Sequence, residues 1–393
     1  MPATAPHELY DPLVHTQQDD LYDIYRRLRD DHPVYHCERR DVWCLTRFDD
    51  VQAAARNWET FSNANGVDLD LPGQFHGVGN FLDSDPPRHD VLRKVVRPFF
   101  VPKEIAKLED QIAERVDRLA AQLAGAERID IAQDFAWALP IWVICRLLGV
   151  PAADDDLVHD MVIELETRHL GDDGPSERMV SALDKMHAYI EDLAEQKRRA
   201  PGEDLMSHLV AGEAEGAPRR EEIPGMAVLL FTAGSETTAS LIGHTLHLLA
   251  EHGEAQQALR HEPAQRIDAV IEESLRMEAP VQYLARQTTG AARVRDVEIP
   301  EDADVILIWG AANRDERHFE HAETFDIERP SQRHLAFGEG IHFCLGAPLA
   351  RLEARLAIPA FLRAVSSYEI QASTERLCHP GMRGFTHLPA TIG

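Results

Sequence analysis

Hydrophobic positions along this chain recur mostly at helical spacing. Leu21, Ile24, Tyr25 and Leu28 repeat every three or four residues, which predicts a helix over 20–30 that Pro33 stops. Val34 to Leu45 alternates polar and apolar residues and predicts a β-hairpin. A short helix is expected over 49–56, with Asp49 at its N-cap. Amphipathic patterns predict helices over 104–123, 139–148, 154–170, 176–199 and 205–210. Gly149 and Pro151 end the second of these. Gly171-Asp172-Asp173-Gly174-Pro175 separates the third and fourth as the turn of a helical hairpin, a plausible mobile lid. Trp137, Trp142 and Cys145 are core candidates. Residues 292–308 alternate and predict paired strands, and 381–389 predicts a short hairpin whose tip reaches a substrate. The pattern is mainly helical with small β-sheets, an α+β class. No internal repeat or second boundary interrupts it, so one domain over 1–393 is expected, with 1–18 a loosely ordered lead-in.

Two stretches break the regularity. Residues 63–83 are rich in Gly, Asn and Asp, and irregular loops of that length usually serve a site. The segment from Ile223 to His252 predicts a helix of roughly 45 Å, started by Pro224 and ended by Gly253. Its apolar run is interrupted at Gly234-Ser235-Glu236-Thr237-Thr238. A carboxylate and hydroxyls inside a buried helix cost free energy unless they are paired or functional. A solvated kink or an N-cap between two helices is the other reading.

The net charge of −27 (40 basic against 67 acidic residues) argues against a nucleic-acid partner and against an anionic membrane surface. No uninterrupted apolar run approaches the ~20 residues of a membrane span, and no signal-peptide pattern opens the chain, so a cytoplasmic protein is expected. Five scattered cysteines fit a reducing compartment.

One cysteine stands apart. Phe337-Gly338-Glu339-Gly340-Ile341-His342-Phe343-Cys344-Leu345-Gly346 is a glycine-hinged loop, and Leu345, Leu349, Leu352 and Leu356 predict an amphipathic helix after it. Cys344 thus precedes a helix N-terminus, where free N–H groups and the macrodipole favour a thiolate. A lone thiolate without a second ligand at zinc spacing suits an iron porphyrin; an isolated cysteine at a helix start is otherwise a buried structural residue. The intact Phe-Gly-x-Gly-x-His-x-Cys-x-Gly-x-x-Leu-Ala pattern closely resembles the haem-binding loop of the cytochrome P450 family. Ala233-Gly234-x-Glu236-Thr237-Thr238 resembles that family's oxygen-activating helix. Glu273-x-x-Arg276, followed by Arg286 and by Arg329, resembles its core ion-pair helix, although Glu-x-x-Arg alone is weak. The resemblance runs from about residue 20 to the end.

It implies the soluble, bacterial-type fold, with haem b (iron protoporphyrin IX) between a long central helix and the cysteine loop. Cys344 would be the axial metal ligand. Phe337 and Gly338 would shape its loop, and His89, Arg93, Arg286 and His342 would neutralise the propionates. His89 and Arg93 share a helix face, which a solvated basic face would also explain. Glu236 as acid and Thr237 as alcohol would supply protons for the activation of O2. Glu273, Arg276 and Arg329 would form a structural triad. Leu229, Leu230, Phe231, Ala233, Val281, Gln282, Leu284 and Phe385 are the candidate lining for a small to medium hydrophobic substrate, to be hydroxylated or O-demethylated. No dinucleotide fingerprint or P-loop is present, so electrons are expected from NAD(P)H through a ferredoxin reductase and a ferredoxin. The acidic partner would dock near Arg88, Arg93, Lys94, Arg97, Arg333 and Arg355. A peroxygenase, isomerase or phenol-coupling enzyme, or a haem sensor without turnover, are the alternatives; an intact Glu236–Thr237 pair argues against the first three, and the absence of a visible regulatory module against the last.

Overall fold

The structure is a computed structural model that describes residues 9–14, 16, 18–71, 73, 75–168, 174–213 and 217–393. Its centre is the helix Ile223–Glu251, buried along nearly its whole length. Pro140–Leu148, Pro263–Met277 and the post-cysteine helix Ala347–Ala364 pack directly on it. This central helix is unbroken. Gly234 does not kink it, and Thr237 Oγ donates to the Ala233 carbonyl at 2.8 Å, one turn back. By length and composition the central helix is apolar enough to cross a bilayer, contrary to the sequence expectation; 83% of its most apolar window is buried inside the protein, as a core helix requires. Gly253 does not close it but begins the next helix, Gly253–His261.

A five-stranded sheet lies to one side. Its hairpin is the expected one, with Val34 opposite Leu45 and Cys37 opposite Val42. Val42–Leu45 runs parallel to Asp304–Ile308, which pairs antiparallel with Tyr283–Thr288, so that Arg286 faces Val305. Ala292–Val294 and Val297–Ile299 form a separate hairpin. The two halves of residues 292–308 therefore join different sheets.

Several boundaries differ from the sequence reading for identifiable reasons. The helix Phe48–Arg56 starts one residue before Asp49, and its first N–H is capped by distant Asp315 Oδ2 at 3.0 Å. The helix Asp155–Glu166 stops before 170, and the expected turn at 171–173 lies outside the described residues. The following helix, Glu177–Arg199, is capped by Ser176, which accepts from the Met179 N–H at 3.2 Å. Residues 381–389 are not a hairpin: Phe385–His387 pairs with Glu375–Arg376, and Pro389–Ile392 with two other strands. The lead-in is partly packed: Tyr10, Leu13 and Thr16 are buried, while 1–8, 15 and 17 lie outside the described residues.

Candidate functional site

The cysteine loop is shaped by two glycines in the left-handed region, Gly338 at φ +68° and Gly340 at φ +73°. A Cβ on Gly340 would sit 2.5 Å from the Ala55 carbonyl oxygen, so the loop also needs glycine for close approach. The Cys344 N–H donates to the Phe337 carbonyl at 2.8 Å, which closes the loop and sets the sulfur ahead of Ala347–Ala364. Burial pushes the Cys344 thiol up, outweighing the Gly346 and Ala347 N–H groups and the Arg93 and Arg351 charges that pull it down. The sequence expectation of a thiol activated by the helix start alone is therefore corrected. Desolvation wins in the bare protein, and a bound metal would have to displace the proton.

Behind this loop the arginines are compensated. Buried Arg276 makes two bonds to Glu273, at 2.7 and 2.8 Å, and Arg329 Nε lies 3.1 Å from the same carboxylate. Arg276 also donates to the carbonyls of Ala322 at 2.7 Å and Asn313 at 3.0 Å. Asn313 Oδ1 accepts the Leu335 N–H at 2.7 Å, and the Leu335 carbonyl accepts the Gly338 N–H at 2.9 Å. An unbroken chain of bonds thus runs from the ion cluster to the cysteine loop. A second brace is Arg351, which forks onto Glu272 at 2.6 and 2.8 Å and lies 4.4 Å above the Phe337 ring.

Near the cysteine the opposite holds. Arg93, Arg286 and His342 line the cavity that Cys344 lines, and buried His89 stands 4.6 Å from His342, ring to ring. The Nε2 atoms of both histidines are buried without a partner. Burial lowers Arg286 to about 10, and burial followed by Arg286, His89 and Arg93 lowers His342 to about 2. Asp90 meets His89 Nδ1 at 2.9 Å, and Asp85 and Asp83 act on Arg286, but Arg286 and His342 form no ion pair among the described residues, and such crowding of cations is costly. Two carboxylates placed here would relieve it, so the residues present fit the propionates of haem.

The cavity spans about 1310 Å³ of atom-free space, part of it open to solvent. Leu229, Leu230, Ala233, Val281 and Leu284 line it as expected, together with Thr237, Phe337 and Gly338. Three expected lining residues do not. Phe231 is fully buried in the helix core. Gln282 turns its amide inward to the Ala279 carbonyl at 2.7 Å. Phe385 packs on His244 and His247 instead. Glu236 is also away from the lining and buried; desolvation, followed by Glu166, raises its carboxyl well above the usual range. Gly234 leaves less room than expected, because a Cβ there would meet Ile144 at 2.6 Å. Sequence reasoning missed Phe81, Leu82, Ile144 and Trp309 in the lining. The irregular 63–83 loop was a signal for the first two; Ile144 and Trp309 carry no local signal.

On the expected docking face, Arg88 is diverted to Glu222 and Arg355 to Asp268, the latter at 2.8 Å. Arg333 pairs with Glu339 at 2.7 Å, and Arg93 donates to the Phe343 carbonyl. Lys94 and Arg97 stay exposed, as does part of Phe343.

Comparison with known proteins agrees with this geometry. The Cytochrome P450 family model matches residues 173–391. "Cytochrome P450 109" of Bacillus spizizenii is 35% identical over 391 residues, covering 96% of this chain and 94% of that one. The vitamin D(3) 25-hydroxylase of Pseudonocardia autotrophica is 35% identical over 405 residues, covering 96% and 97%. The crystal structure of CYP109E1 from Bacillus megaterium in complex with testosterone superposes with a TM-score of 0.85 at 30% identity, covering 94% of this chain and 97% of that one.

Proposed function

The chain belongs to the cytochrome P450 family and is a haem-dependent monooxygenase, and from that premise we propose that its 393 residues act as one catalytic domain hydroxylating or O-demethylating a small to medium, neutral, hydrophobic molecule. The observation that carries this reading is one apolar cavity lined by Cys344, by Thr237 and by the uncompensated Arg93, Arg286 and His342. When bound, haem supplies the activation of dioxygen and the insertion of one oxygen atom into a C–H bond.

The protein's share of the work falls to named residues. Cys344 would hold the iron as thiolate; His89, Arg93, Arg286 and His342 would hold the propionates. The Thr237 hydroxyl, resting on the Ala233 carbonyl at 2.8 Å, is the donor on the cavity wall. Burial, followed by a second carboxyl, Glu166, raises the Glu236 carboxyl well above the usual range. Leu229, Leu230, Val281 and Leu284 would grip an apolar substrate and exclude water. Among the described lining residues no cationic pair is free of the haem cradle to bind a substrate carboxylate, which supports a neutral molecule. The vitamin D and testosterone named for the relatives are neutral and polycyclic, which supports the same class.

Electrons would come from NAD(P)H through a ferredoxin reductase and a ferredoxin in the cytoplasm, docking at exposed Lys94 and Arg97. The deciding experiment is reconstitution with a ferredoxin, its reductase and isotope-labelled dioxygen against a panel of neutral sterols and terpenoids. One labelled oxygen in a hydroxylated product is expected. Label-free product, or turnover with peroxide alone, would overturn it.

A further inference from the structure

This inference rests on the reading of Thr237 as the hydroxyl donor on the cavity wall. Gly234 precedes Thr237 by three residues and Thr238 by four, so both threonines are its neighbours on the surface of the central helix. All three line the cavity. The notch that Gly234 leaves is filled from outside the helix. A Cβ at this position would stand 2.6 Å from Ile144 Cδ1 and 2.7 Å from Ile144 Cγ1, so the isoleucine occupies the space a side chain would take. Beyond the helix itself, no other described residue comes within 4 Å of that point. Ile144 belongs to the helix Pro140–Leu148, is 2% exposed and lines the same cavity. On the same turn as the notch, Ser235 Oγ and Glu236 Oε1 are buried without a hydrogen-bond partner. A buried water needs about two to four polar partners. This turn offers hydroxyls and unpartnered oxygens, and the one apolar group shown filling its notch is Ile144.

We propose that Ile144 is an apolar plug, a positioning residue that acts through Gly234 to keep water out of the notch beside Thr237. With the plug in place, the Thr237 hydroxyl keeps the Ala233 carbonyl, at 2.8 Å, as its fixed partner. With the notch wetted, a water beside Thr237 competes for that hydroxyl and offers a proton from a position the helix does not fix. Exclusion of water guards against side reactions of this kind. The side reaction here is release of hydrogen peroxide: one dioxygen takes two electrons from the ferredoxin and two protons from solvent, and no product forms. Productive turnover takes the same two electrons and two protons but divides the dioxygen between the product and one water. The plug therefore governs how electrons are divided between product and peroxide. Polarity at position 144, more than volume, is what the proposal makes decisive.

The test compares Ile144→Val with Ile144→Thr in the haem-loaded enzyme. Valine and threonine have nearly the same shape and differ by a hydroxyl, so the pair separates wetting from lost volume. Two readouts are taken: the infrared stretch of carbon monoxide bound to the reduced enzyme, without turnover, and the hydrogen peroxide released per product in the reconstituted system. Ile144→Thr should shift the stretch and raise the peroxide share several-fold, and Ile144→Val should leave both near the natural values. Thr237→Val should raise the peroxide share by itself, and adding Ile144→Thr to it should then change little, because the two act at one place. If Ile144→Val and Ile144→Thr give the same stretch and the same peroxide share, the plug is overturned while the reading of Thr237 stands. If Thr237→Val leaves the peroxide share unchanged, the reading of Thr237 fails and the plug with it. Should Ile144→Thr not retain haem, the notch is tested from the other side. Ile144→Ala opens it, and Gly234→Ala added to Ile144→Ala refills it from the central helix, so the peroxide share should be lower in the double variant; an equal or higher share overturns the plug.

Discussion

Two arginine-rich clusters lie near the haem loop, and they differ in one respect. Around Glu273 the donors of Arg276 and Arg329 find acceptors, and the carboxylate also accepts the Asp326 N–H at 3.0 Å. Around His342 the cations and imidazoles face one another, and two buried ring nitrogens find none. The first cluster is complete as it stands; the second is complete only with an anion. Charge compensation within the chain therefore separates a residue that holds the fold from one that holds a ligand, where residue type and burial do not.

That contrast gives opposite signs for similar substitutions. The largest effect belongs to the compensated side. Glu273→Ala leaves Arg276 and Arg329 without a carboxylate, held only by backbone carbonyls, and urea unfolding should show a loss of about 3–5 kcal/mol. Glu278 is a second compensated carboxylate, paired with Arg314 and Arg383 at 3.3 Å each. Desolvation alone would raise it, but Arg383, His244 and Arg314 hold it down at about 2. Its folded value lies below its unfolded one, so its stabilisation is full above about pH 4.5 and is lost as pH falls toward 2. Glu278→Gln should thus cost about 3 kcal/mol at pH 7, and the gap from the natural protein should narrow steadily in unfolding curves between pH 5 and 3.

On the uncompensated side the sign reverses without haem. Arg286→Gln removes a buried cation that makes no ion pair among the described residues, although Asp85 and Asp83 act on it through space, so the haem-free protein should keep or gain stability. The haem-loaded form should release its cofactor to apomyoglobin about 10- to 100-fold faster, as expected for a lost charge-assisted bond of about 1.5–3 kcal/mol. A loss of haem-free stability as large as that of Glu273→Ala would erase the distinction. A smaller effect tests the loop between the two clusters. Gly340→Ala places a side chain in the left-handed region, at a cost of about 1–2 kcal/mol before the clash with the Ala55 carbonyl is counted. Thermal unfolding of the haem-free protein should fall by a few degrees.

The sequence carried the chemistry better than the surroundings. Cys344, His342, Thr237, Arg93 and Arg286 come together because short motifs hold them at fixed spacing on one loop, one helix or one strand. Glu273, Arg276 and Arg329 are legible for the same reason. What stayed hidden depends on side-chain direction. Gln282 and Phe385 sit in the right segments but turn away, Gln282 to satisfy its amide on a backbone carbonyl and Phe385 to stack on His247. Ile144 reaches the cavity from a helix more than eighty residues earlier in the chain, through the gap that Gly234 leaves. No periodicity encodes that approach. The Asp315 cap on Phe48 and the diversion of Arg88 to Glu222 are long-range in the same way.

The most direct test is the absorption spectrum of the reduced, carbon monoxide-bound protein. Thiolate from Cys344 requires a Soret band displaced far to the red, and Cys344→Ser should lose that displacement. A natural protein whose band sits where a histidine-ligated haem absorbs, or a Cys344→Ser protein that keeps the red position, would contradict the assignment of this sulfur.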